Sequence, residues 1–162
     1  RFGVIQCEPN KDCTVICHGT ASCQNANIKC PTGAACNIHC TDGYNQNCMQ
    51  IKVEATQSTR LELNCAWNSI ESCDRTTIFC PNNGHGGPVP CIIDGVTPIS
   101  VNNGMHVYAV EGFRDVHIVG TEINDGFIHC GTNYMTQCEM HENLFTCAAC
   151  LSVWAPSNNP TP

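Results

Sequence analysis

The spacing of the cysteines constrains this chain more than any other feature. A group of three cysteines recurs about 23 residues further along, and later cysteines recur at an offset of about 25 residues. The recurring pairs are Cys7 and Cys30, Cys13 and Cys36, Cys17 and Cys40, Cys23 and Cys48, Cys40 and Cys65, and Cys48 and Cys73. A shared offset of this kind indicates an internal structural repeat, which takes precedence over any other assignment of fold.

An apolar residue stands two positions before many of the cysteines. Residues two apart in a strand point to the same face of a sheet, so each such unit places an aliphatic side chain and a sulfur on one side. The units are Val15-Ile-Cys17, Ile28-Lys-Cys30, Ile38-His-Cys40, Leu63-Asn-Cys65, Ile78-Phe-Cys80 and Ile128-His-Cys130. The intervening Lys29, His39, Asn64 and His129 then fall on the outer face.

Stretches without cysteine keep the same alternation. Residues 49–55, 61–63 and 116–118 alternate apolar and polar side chains, with hydrophobic residues in place of the sulfur. A continuous apolar core shared by all repeats follows from this pattern.

Two all-β architectures fit these observations. A disulfide-rich β-solenoid would stack about six coils of 23–25 residues, with cysteine partners in neighbouring repeats. A disulfide-stapled β-meander would instead pair Glu54 with Arg60 and Lys52 with Glu62, and would set Cys30 against Cys36. The coherent period favours the solenoid, and the charge pairing keeps the meander as the alternative.

The number of cysteines predicts an oxidising compartment. The chain has 16 cysteines among 162 residues, an even number that is typical of a disulfide scaffold. Zinc is less favoured, because Cys147-Ala-Ala-Cys150 has no second pair at finger spacing. The predicted disulfide cysteines are Cys7, Cys13, Cys17, Cys23, Cys30, Cys36, Cys40, Cys48, Cys65, Cys73, Cys80, Cys91, Cys130, Cys138, Cys147 and Cys150.

The chain divides into four segments by composition. An apolar N-terminal strand at 1–6 precedes cysteine-rich repeats at 7–80, cysteine-poor repeats at 81–142 and a capping segment at 143–162. The cysteine-poor repeats begin with a Gly/Pro/Asn-rich loop at 81–90, which interrupts the period.

Local signals predict a few turns and one helical segment. Asp42-Gly, Asp94-Gly and Asp125-Gly are typical of turns. Residues 143–151 are the only segment with a helical spacing of apolar residues, and the Pro/Asn-rich tail after them is expected to be extended.

Charge excludes several classes of partner. The net charge is −7 with only seven Lys and Arg, so the chain has no basic surface for nucleic acid or an anionic membrane. No apolar run reaches the roughly 20 residues of a membrane span. The first residue is Arg1, which favours a processed, mature chain. Together with the cysteines, this predicts a secreted or cell-surface protein.

The run from Cys7 to Cys40 resembles a known class of repeats. The motif Cys-x-Val-x-Cys-x-Gly-x-x-x-Cys, followed by Ile-x-Cys-Pro-x-Gly-x-x-Cys-x-Ile-x-Cys, is similar to cysteine-rich β-helical repeats of protist extracellular filaments and flagellar hairs. The resemblance covers about residues 7–80. It implies an extracellular structural role without catalytic residues.

The sequence offers no pattern for catalysis, a cofactor or a metal. Polysaccharide lyases and hydrolases of β-helical fold need clustered carboxylates, and the acidic residues here are scattered. The seven histidines follow no common spacing, apart from His39 and His129 in the same Ile-His-Cys context. We therefore expect no enzyme activity, no cofactor and no metal site.

Glycans are expected on oxygen only. No Asn-x-Ser/Thr sequon occurs, because Asn159-Pro-Thr is excluded by its proline. Candidate O-linked positions lie in the tail, at Ser157, Thr161 and Pro162 once modified.

Strand edges and chain ends predict self-assembly. An uncapped solenoid exposes unpaired strand edges at its ends, and such edges favour end-to-end addition of further copies. We therefore expect a structural subunit that polymerises with copies of itself. The predicted contacts are Phe2, Val4, Ile5, Trp154, Pro156 and Pro160. The alternative is a secreted carbohydrate- or surface-binding module, which would need an exposed aromatic platform; only 6% of the residues are aromatic, and they are scattered along the chain.

Overall fold

The chain folds as an all-β solenoid, as the period predicts. The computed structural model describes residues 3–41, 46–66, 70–82, 91–96, 104–110, 116–120 and 126–140. Two sheets wind around a shared core in about four turns, rather than the six coils expected from the period. The loop at 81–90 lengthens one coil, since Leu61 pairs with Cys91. In addition, β12 runs antiparallel to β11 instead of adding a further parallel coil.

Sheet A contains seven strands, in the order β1-β3-β5-β7-β9-β11-β12. Its strands are β1 (Val4–Gln6), β3 (Asn27–Lys29), β5 (Lys52–Glu54), β7 (Thr77–Phe79), β9 (His106–Tyr108), β11 (Gly126–Cys130) and β12 (Thr136–Met140). All neighbours are parallel except β11 and β12, which are joined through a 3-10 turn at Thr132–Tyr134.

Sheet B contains five parallel strands, in the order β10-β8-β6-β4-β2. They are β2 (Cys13–His18), β4 (Ala35–Thr41), β6 (Arg60–Asn64), β8 (Cys91–Val96) and β10 (Val116–Gly120). From β1 to β11 each coil contributes one strand to each sheet, so consecutive strands along the chain alternate between the two sheets; β12 then stays in sheet A.

The strand register reproduces the spacing of the sequence repeat. Val4 pairs with Asn27 and Cys13 pairs with Cys36, both at the shorter of the two cysteine offsets. Asn27 pairs with Lys52 at the longer offset. In the coil that contains the 81–90 loop the offset grows further, so that Leu61 pairs with Cys91. The loop is therefore an insertion between β7 and β8 that leaves the stacking intact.

The alternation of apolar and polar residues is confirmed. Ile28, Ile38, Leu63, Ile78 and Ile128 are fully buried, and they form one continuous core with the inward-facing cysteines. The predicted outer residues Lys29, His39, Asn64 and His129 are half-buried on the outer faces.

A stack of tight corners closes the coils after sheet B. Corners at 21–25, 46–50 and 71–75 begin and end with residues of positive φ, for example Gln46 at 66° and Gln50 at 58°. Backbone bonds join neighbouring corners, as the N–H of Cys23 donates to the carbonyl of Asn47 at 2.8 Å. The side-chain amide of the fully buried Asn47 donates to the Thr41 carbonyl at 2.6 Å. Repeated backbone geometry therefore sets the longer offset here.

Six described disulfides close within single coils, so the expected pairing between neighbouring repeats is wrong. Cysteines in register on parallel strands have parallel Cβ vectors, which do not point toward each other as a disulfide requires. The Cβ atoms of cysteines on the two sides of a corner point toward each other, and the Cα atoms of these pairs are 5.5–5.9 Å apart. The pairs are Cys7–Cys13, Cys17–Cys23, Cys30–Cys36, Cys40–Cys48, Cys65–Cys73 and Cys80–Cys91.

Cys130 is also disulfide-bonded, and none of the described cysteines is free. The side chain of Cys138, and Cys147 and Cys150, lie outside the described residues. The disulfides of this chain indicate an oxidising environment, extracellular or secretory.

The meander alternative is wrong, because β5 and β6 belong to different sheets. The opposite charges that suggested a hairpin instead pair along single strands. Lys52 Nζ lies 2.6 Å from Glu54, and Arg60 lies 3.1 Å from Glu62. Cys30 does face Cys36, as the meander also predicts, but as a disulfide across a corner between the two sheets.

The predicted turn at Asp94-Gly is also wrong. Asp94 and Gly95 lie inside β8, where Gly95 is the extra residue of a bulge opposite Val119 and Gly120. The predicted turn at Asp42-Gly, the helical segment at 143–151 and the tail lie outside the described residues. Of the predicted turn at Asp125-Gly, Asp125 lies outside them and Gly126 begins β11.

Candidate functional site: the open N-terminal coil and the aromatic ladder

The N-terminal coil, residues 3–25, forms one end of the solenoid. Its strand β1 is the first of sheet A and its strand β2 is the last of sheet B. Both strands pair only with the second coil, through β3 and β4. Within the described part of the chain, the other edge of each strand has no partner strand.

The hydrogen bonds of β1 show which backbone groups face this open edge. Asn27 donates its N–H to the Gly3 carbonyl, and Cys7 donates its N–H to the Lys29 carbonyl. Because backbone groups alternate along a strand, the N–H and C=O of Val4 and Gln6 point the other way, toward the open edge.

The first coil is also the least buried part of the core. Its inward-facing Ile5 and Cys13 are only partly buried, whereas Ile28 and Cys36 at the same positions of the next coil have no exposed surface. On the outer faces, Val4 is 65% exposed and Ile16 is 64% exposed. Apolar surface therefore continues to the end of the solenoid.

Neither end strand carries the usual protection against association. Natural edge strands are commonly blocked by lysine, proline or an inward-pointing charge. The sequences of β1 and β2, Val-Ile-Gln and Cys-Thr-Val-Ile-Cys-His, contain none of these. The charges of this coil, Glu8, Lys11 and Asp12, lie in the turn between the two strands.

Two of the six predicted assembly residues, Val4 and Ile5, lie at this open edge. Phe2, Trp154, Pro156 and Pro160 lie outside the described residues. Sequence reasoning missed Ile16, although a signal was present. Ile16 is an apolar residue at an outward position, flanked by the inward-facing Val15 and Cys17.

The opposite end of the solenoid is uneven. Sheet B ends at β10, whereas sheet A continues past the level of β9 with β11 and β12. Strands of one sheet lie about 4.8 Å apart, so the two extra strands make a step of roughly 10 Å. The two ends of the described solenoid therefore differ in shape.

The outer face of sheet A brings together aromatic residues that are far apart in the sequence. Tyr108 stacks on Phe79 with ring centroids 4.6 Å apart, and on His129 at 4.2 Å. Tyr134 lies nearly perpendicular to Tyr108, with ring centroids 5.4 Å apart. The interpretation that the aromatic residues are scattered is thus wrong in three dimensions, because strand register places positions 79, 108 and 129 in one row.

This ladder differs from a sugar-binding platform in one respect. The rings in the middle of the stack face each other, so their faces are occupied and their edges point outward. Phe79 is the ring of the stack nearest the N-terminal coil, and Lys52 lies over it with Nζ 5.4 Å from the ring centroid. The main consequence of the ladder is cohesion between coils.

Two histidines join neighbouring coils within this cluster. Nδ1 of His106 lies 3.0 Å from Nε2 of His129, and the His106 ring also stacks on Phe127. Burial lowers the pKa of His129, and the neighbouring His106 lowers it further. Burial likewise raises the pKa of Tyr134.

Several carboxylates of the described residues make structural contacts. The hydrogen bond from Lys52 holds the pKa of Glu54 below its ordinary value, despite the opposing effect of burial. Asp12 accepts a bond from the Ala35 N–H, and Asp94 accepts one from the Gly95 N–H. Among the described residues, no three His, Cys, Asp or Glu side chains come together as a metal site would require.

Comparisons with known proteins add no assignment. No family model matches this chain, and neither a curated protein nor a solved structure shows significant similarity to it. No helix in the described part is long and apolar enough to cross a bilayer.

Proposed function

We propose that this chain is a structural subunit of a secreted extracellular filament or cell-surface appendage, and that it assembles with copies of itself through the N-terminal coil. The observation that carries the proposal is the open end of the solenoid. Among the described residues, the outer edges of β1 and β2 there have no partner strand and carry no charge, and Val4 and Ile16 are exposed.

The construction of the solenoid supports a structural role. Each of the six disulfides with both partners described joins the two sides of a corner within one coil, so it fixes the cross-section of that coil. The backbone hydrogen bonds between coils run along the axis. Carboxylates near sheet surfaces are paired with cations of their own strands, as in Lys52–Glu54. The resemblance of residues 7–80 to β-helical repeats of protist filaments and flagellar hairs points to the same role. O-linked glycans in the tail belong to this proposal as well.

Electron microscopy of concentrated protein tests the proposal. We expect regular fibres from the unmodified chain, and loss of fibres for Ile16→Lys, because a charge at the open end opposes strand addition. The matched control is His39→Lys, which adds the same charge to the neighbouring position of the same outer row, one coil inward. Dispersed monomers under all conditions, or fibres that Ile16→Lys leaves unchanged, would contradict the proposal.

A thiol reductant supplies a second test of the same proposal. Reduction should disperse fibres by releasing the corners on which the coil cross-section depends. Fibres that persist after complete reduction, verified by thiol titration, would show that the disulfides do not maintain the assembly.

The aromatic cluster favours a carbohydrate-binding module as the second candidate. Tyr134 lies outside the stack and crosses the row of rings, so it is the ring best placed to contact a sugar. Binding to cellulose and chitin particles should fall about fivefold or more for Tyr134→Ala, since one stacked ring contributes about 1 kcal/mol or more. The control is Met135→Ala at the neighbouring residue, which is 84% exposed. No binding by the unmodified chain would remove this candidate.

A further inference from the structure

We infer that the N-terminal coil binds the N-terminal coil of a second copy, head to head, about a two-fold axis that passes close to Ile16. The inference rests on the proposed function, since it names the partner of the same open end. It departs from the sequence expectation of end-to-end addition in a single direction.

The shapes of the two ends carry the inference. At the N-terminal end, β1 and β2 belong to one coil, so sheets A and B end at the same level. At the other end, as far as the chain is described, sheet A stands roughly 10 Å beyond β10. If the N-terminal coil of a second copy stacked on β10 along the same axis, it would collide with β11. If it stacked on β12 instead, β10 would stay uncovered. The level end matches its own copy better.

A two-fold contact satisfies the open edges of both copies. An edge strand can always pair with its own copy in the antiparallel direction, and such isologous contacts are the commonest in oligomers. With the axis near Ile16, that side chain, 64% exposed in the single chain, packs against Ile16 of the second copy. Its neighbours Val15 and Cys17 keep facing the core, because the alternation of β2 is preserved on both sides of the axis.

The same contact completes the core of each copy. Ile5 and Cys13 are partly buried in the single chain. Stacking a second coil on them would give them the surroundings that Ile28 and Cys36 already have inside the solenoid, where both are fully buried. The apolar surface that the contact removes from water thus belongs mainly to Ile5 and Cys13, which are only partly buried in the single chain.

Charges do not oppose the head-to-head arrangement. The two-fold axis reverses the direction of the coil, so the turn at 8–12 of one copy faces the corner at 19–25 of the other. The turn carries Glu8, Lys11 and Asp12, and the corner Gly-Thr-Ala-Ser-Cys-Gln-Asn has no charged side chain. Like charges of these two described segments therefore do not meet.

The contact is small, which predicts a dimer that dissociates on dilution. A six-residue strand is about 20 Å long and the two sheets of a coil lie about 10 Å apart, so the cross-section is roughly 200 Å². That is well below the roughly 800 Å² per partner of a standard interface. Backbone hydrogen bonds from two strand edges must supply much of the stability.

Analytical ultracentrifugation over a concentration series tests the inference. We expect a monomer–dimer equilibrium for the unmodified chain. Ile16→Lys should weaken association at least about tenfold, because two like charges would meet at the axis. His39→Lys should leave the equilibrium unchanged. A monomer at every concentration, or an equal effect of both variants, would overturn the inference.

Cysteine trapping then distinguishes the two directions of assembly. A residue next to a two-fold axis can cross-link to itself, so Ile16→Cys alone should give a disulfide-linked dimer under mild oxidation. Head-to-tail stacking would instead place Ile16 beside Val119, which ends the same outer row at the other end of sheet B. Cross-linking only in a mixture of Ile16→Cys and Val119→Cys chains would overturn the head-to-head arrangement.

The results separate the inference from the proposed function. Head-to-head dimers without fibres would support the inference and contradict the filament. Fibres whose subunits cross-link from position 16 to position 119 would support the filament and contradict the head-to-head contact. Fibres of head-to-head dimers would support both, and they would require a second contact elsewhere on the chain.

Discussion

At the scale of single residues, Gly95 shows how closely neighbouring coils approach each other. It is the bulged residue of β8, with φ at 76°. A Cβ atom at this position would lie 1.9 Å from the carbonyl oxygen of Cys65 in the preceding coil. Both the backbone conformation and the space therefore require glycine.

We expect Gly95→Ala to lower the free energy of unfolding by about 3 kcal/mol or more, because it combines an unfavourable φ with a clash against backbone. Gly19→Ala is the matched control, since Gly19 has φ at 96° but no atom within 4 Å of the added Cβ. The free energy of unfolding of this control should fall by only about 1 kcal/mol. Urea unfolding of both variants measures the difference, and equal losses would show that the close approach to Cys65 is unimportant.

At the scale of elements, the corners between sheet A and sheet B show two solutions to the same packing problem. The first, second and fourth coils place a disulfide there, for example Cys30–Cys36. The third coil has Ala55 and Leu61 at these positions, 1% and 0% exposed. An apolar pair can thus replace the disulfide without changing the register.

This equivalence predicts which substitutions the second coil tolerates. Cys30→Ala with Cys36→Leu should fold and lose about 1–2 kcal/mol, because burial of leucine offsets part of the lost cross-link. Cys30→Ser with Cys36→Ser should lose about 3–5 kcal/mol, because it also buries hydroxyl groups. Chemical unfolding compares the two, and an equal loss would contradict the equivalence.

The contact between β9 and β11 predicts a dependence on pH. Because the pKa of His129 is lowered in the folded state, the unfolded chain takes up its proton first. The free energy of unfolding therefore has its full value above about pH 6.5, the ordinary pKa of histidine. It falls as the pH drops from there through the lowered pKa of His129. On β9 the titratable side chains in contact with His129 are His106 and Tyr108. On β12, Glu139 pairs with Phe127 in the backbone register.

We expect the melting temperature of the unmodified chain to decrease between pH 7 and pH 5, and His129→Gln to flatten this decrease. His117→Gln, which removes an imidazole from the outer face of sheet B, is the control. The slope of melting temperature against pH is the measurement. A slope that His129→Gln leaves unchanged would exclude the His106–His129 contact as its cause.

At the scale of the whole molecule, cohesion along the axis of the described solenoid depends on backbone hydrogen bonds, the core and the stacked aromatic rings, and not on the six disulfides whose two partners are both described. Each of the six described disulfides joins two cysteines of one coil, and the sulfurs of Cys40 and Cys73 in neighbouring coils touch at 3.9 Å without a bond. A coil at an end of the described solenoid is therefore stabilised by one neighbouring coil, whereas a coil in the middle is stabilised by two.

Hydrogen exchange should reveal this gradient. The amides of Val4 and Gln6 at the open edge should exchange fastest among the strands, and those of β4 and β6 slowest, because their strands are paired on both sides. Raising the protein concentration should slow exchange in β1 and β2 if two copies meet there. Uniform protection along the solenoid at low concentration would contradict the gradient.

Parts of this description were accessible from the sequence because they depend on local periodicity. The pairing of Val4 with Asn27 and of Cys13 with Cys36 follows from the shorter cysteine offset, and the burial of Ile28 and Ile38 follows from alternation. Ile16 could have been recognised as an apolar residue at an outward position. The disulfide partners could not, because spacing alone does not show which Cβ atoms face each other across a corner.

The repeat and the alternation thus determined that this chain is a β-solenoid with a cysteine-lined core, since both are properties of residues near each other in the chain. Only the tertiary structure decided that Phe79, Tyr108 and His129 form one ladder, that one end is level and the other stepped, and that Gly95 must be glycine. These features depend on which coils lie beside each other and where each sheet ends. The inserted loop and the final antiparallel strand change that arrangement without disturbing the local pattern.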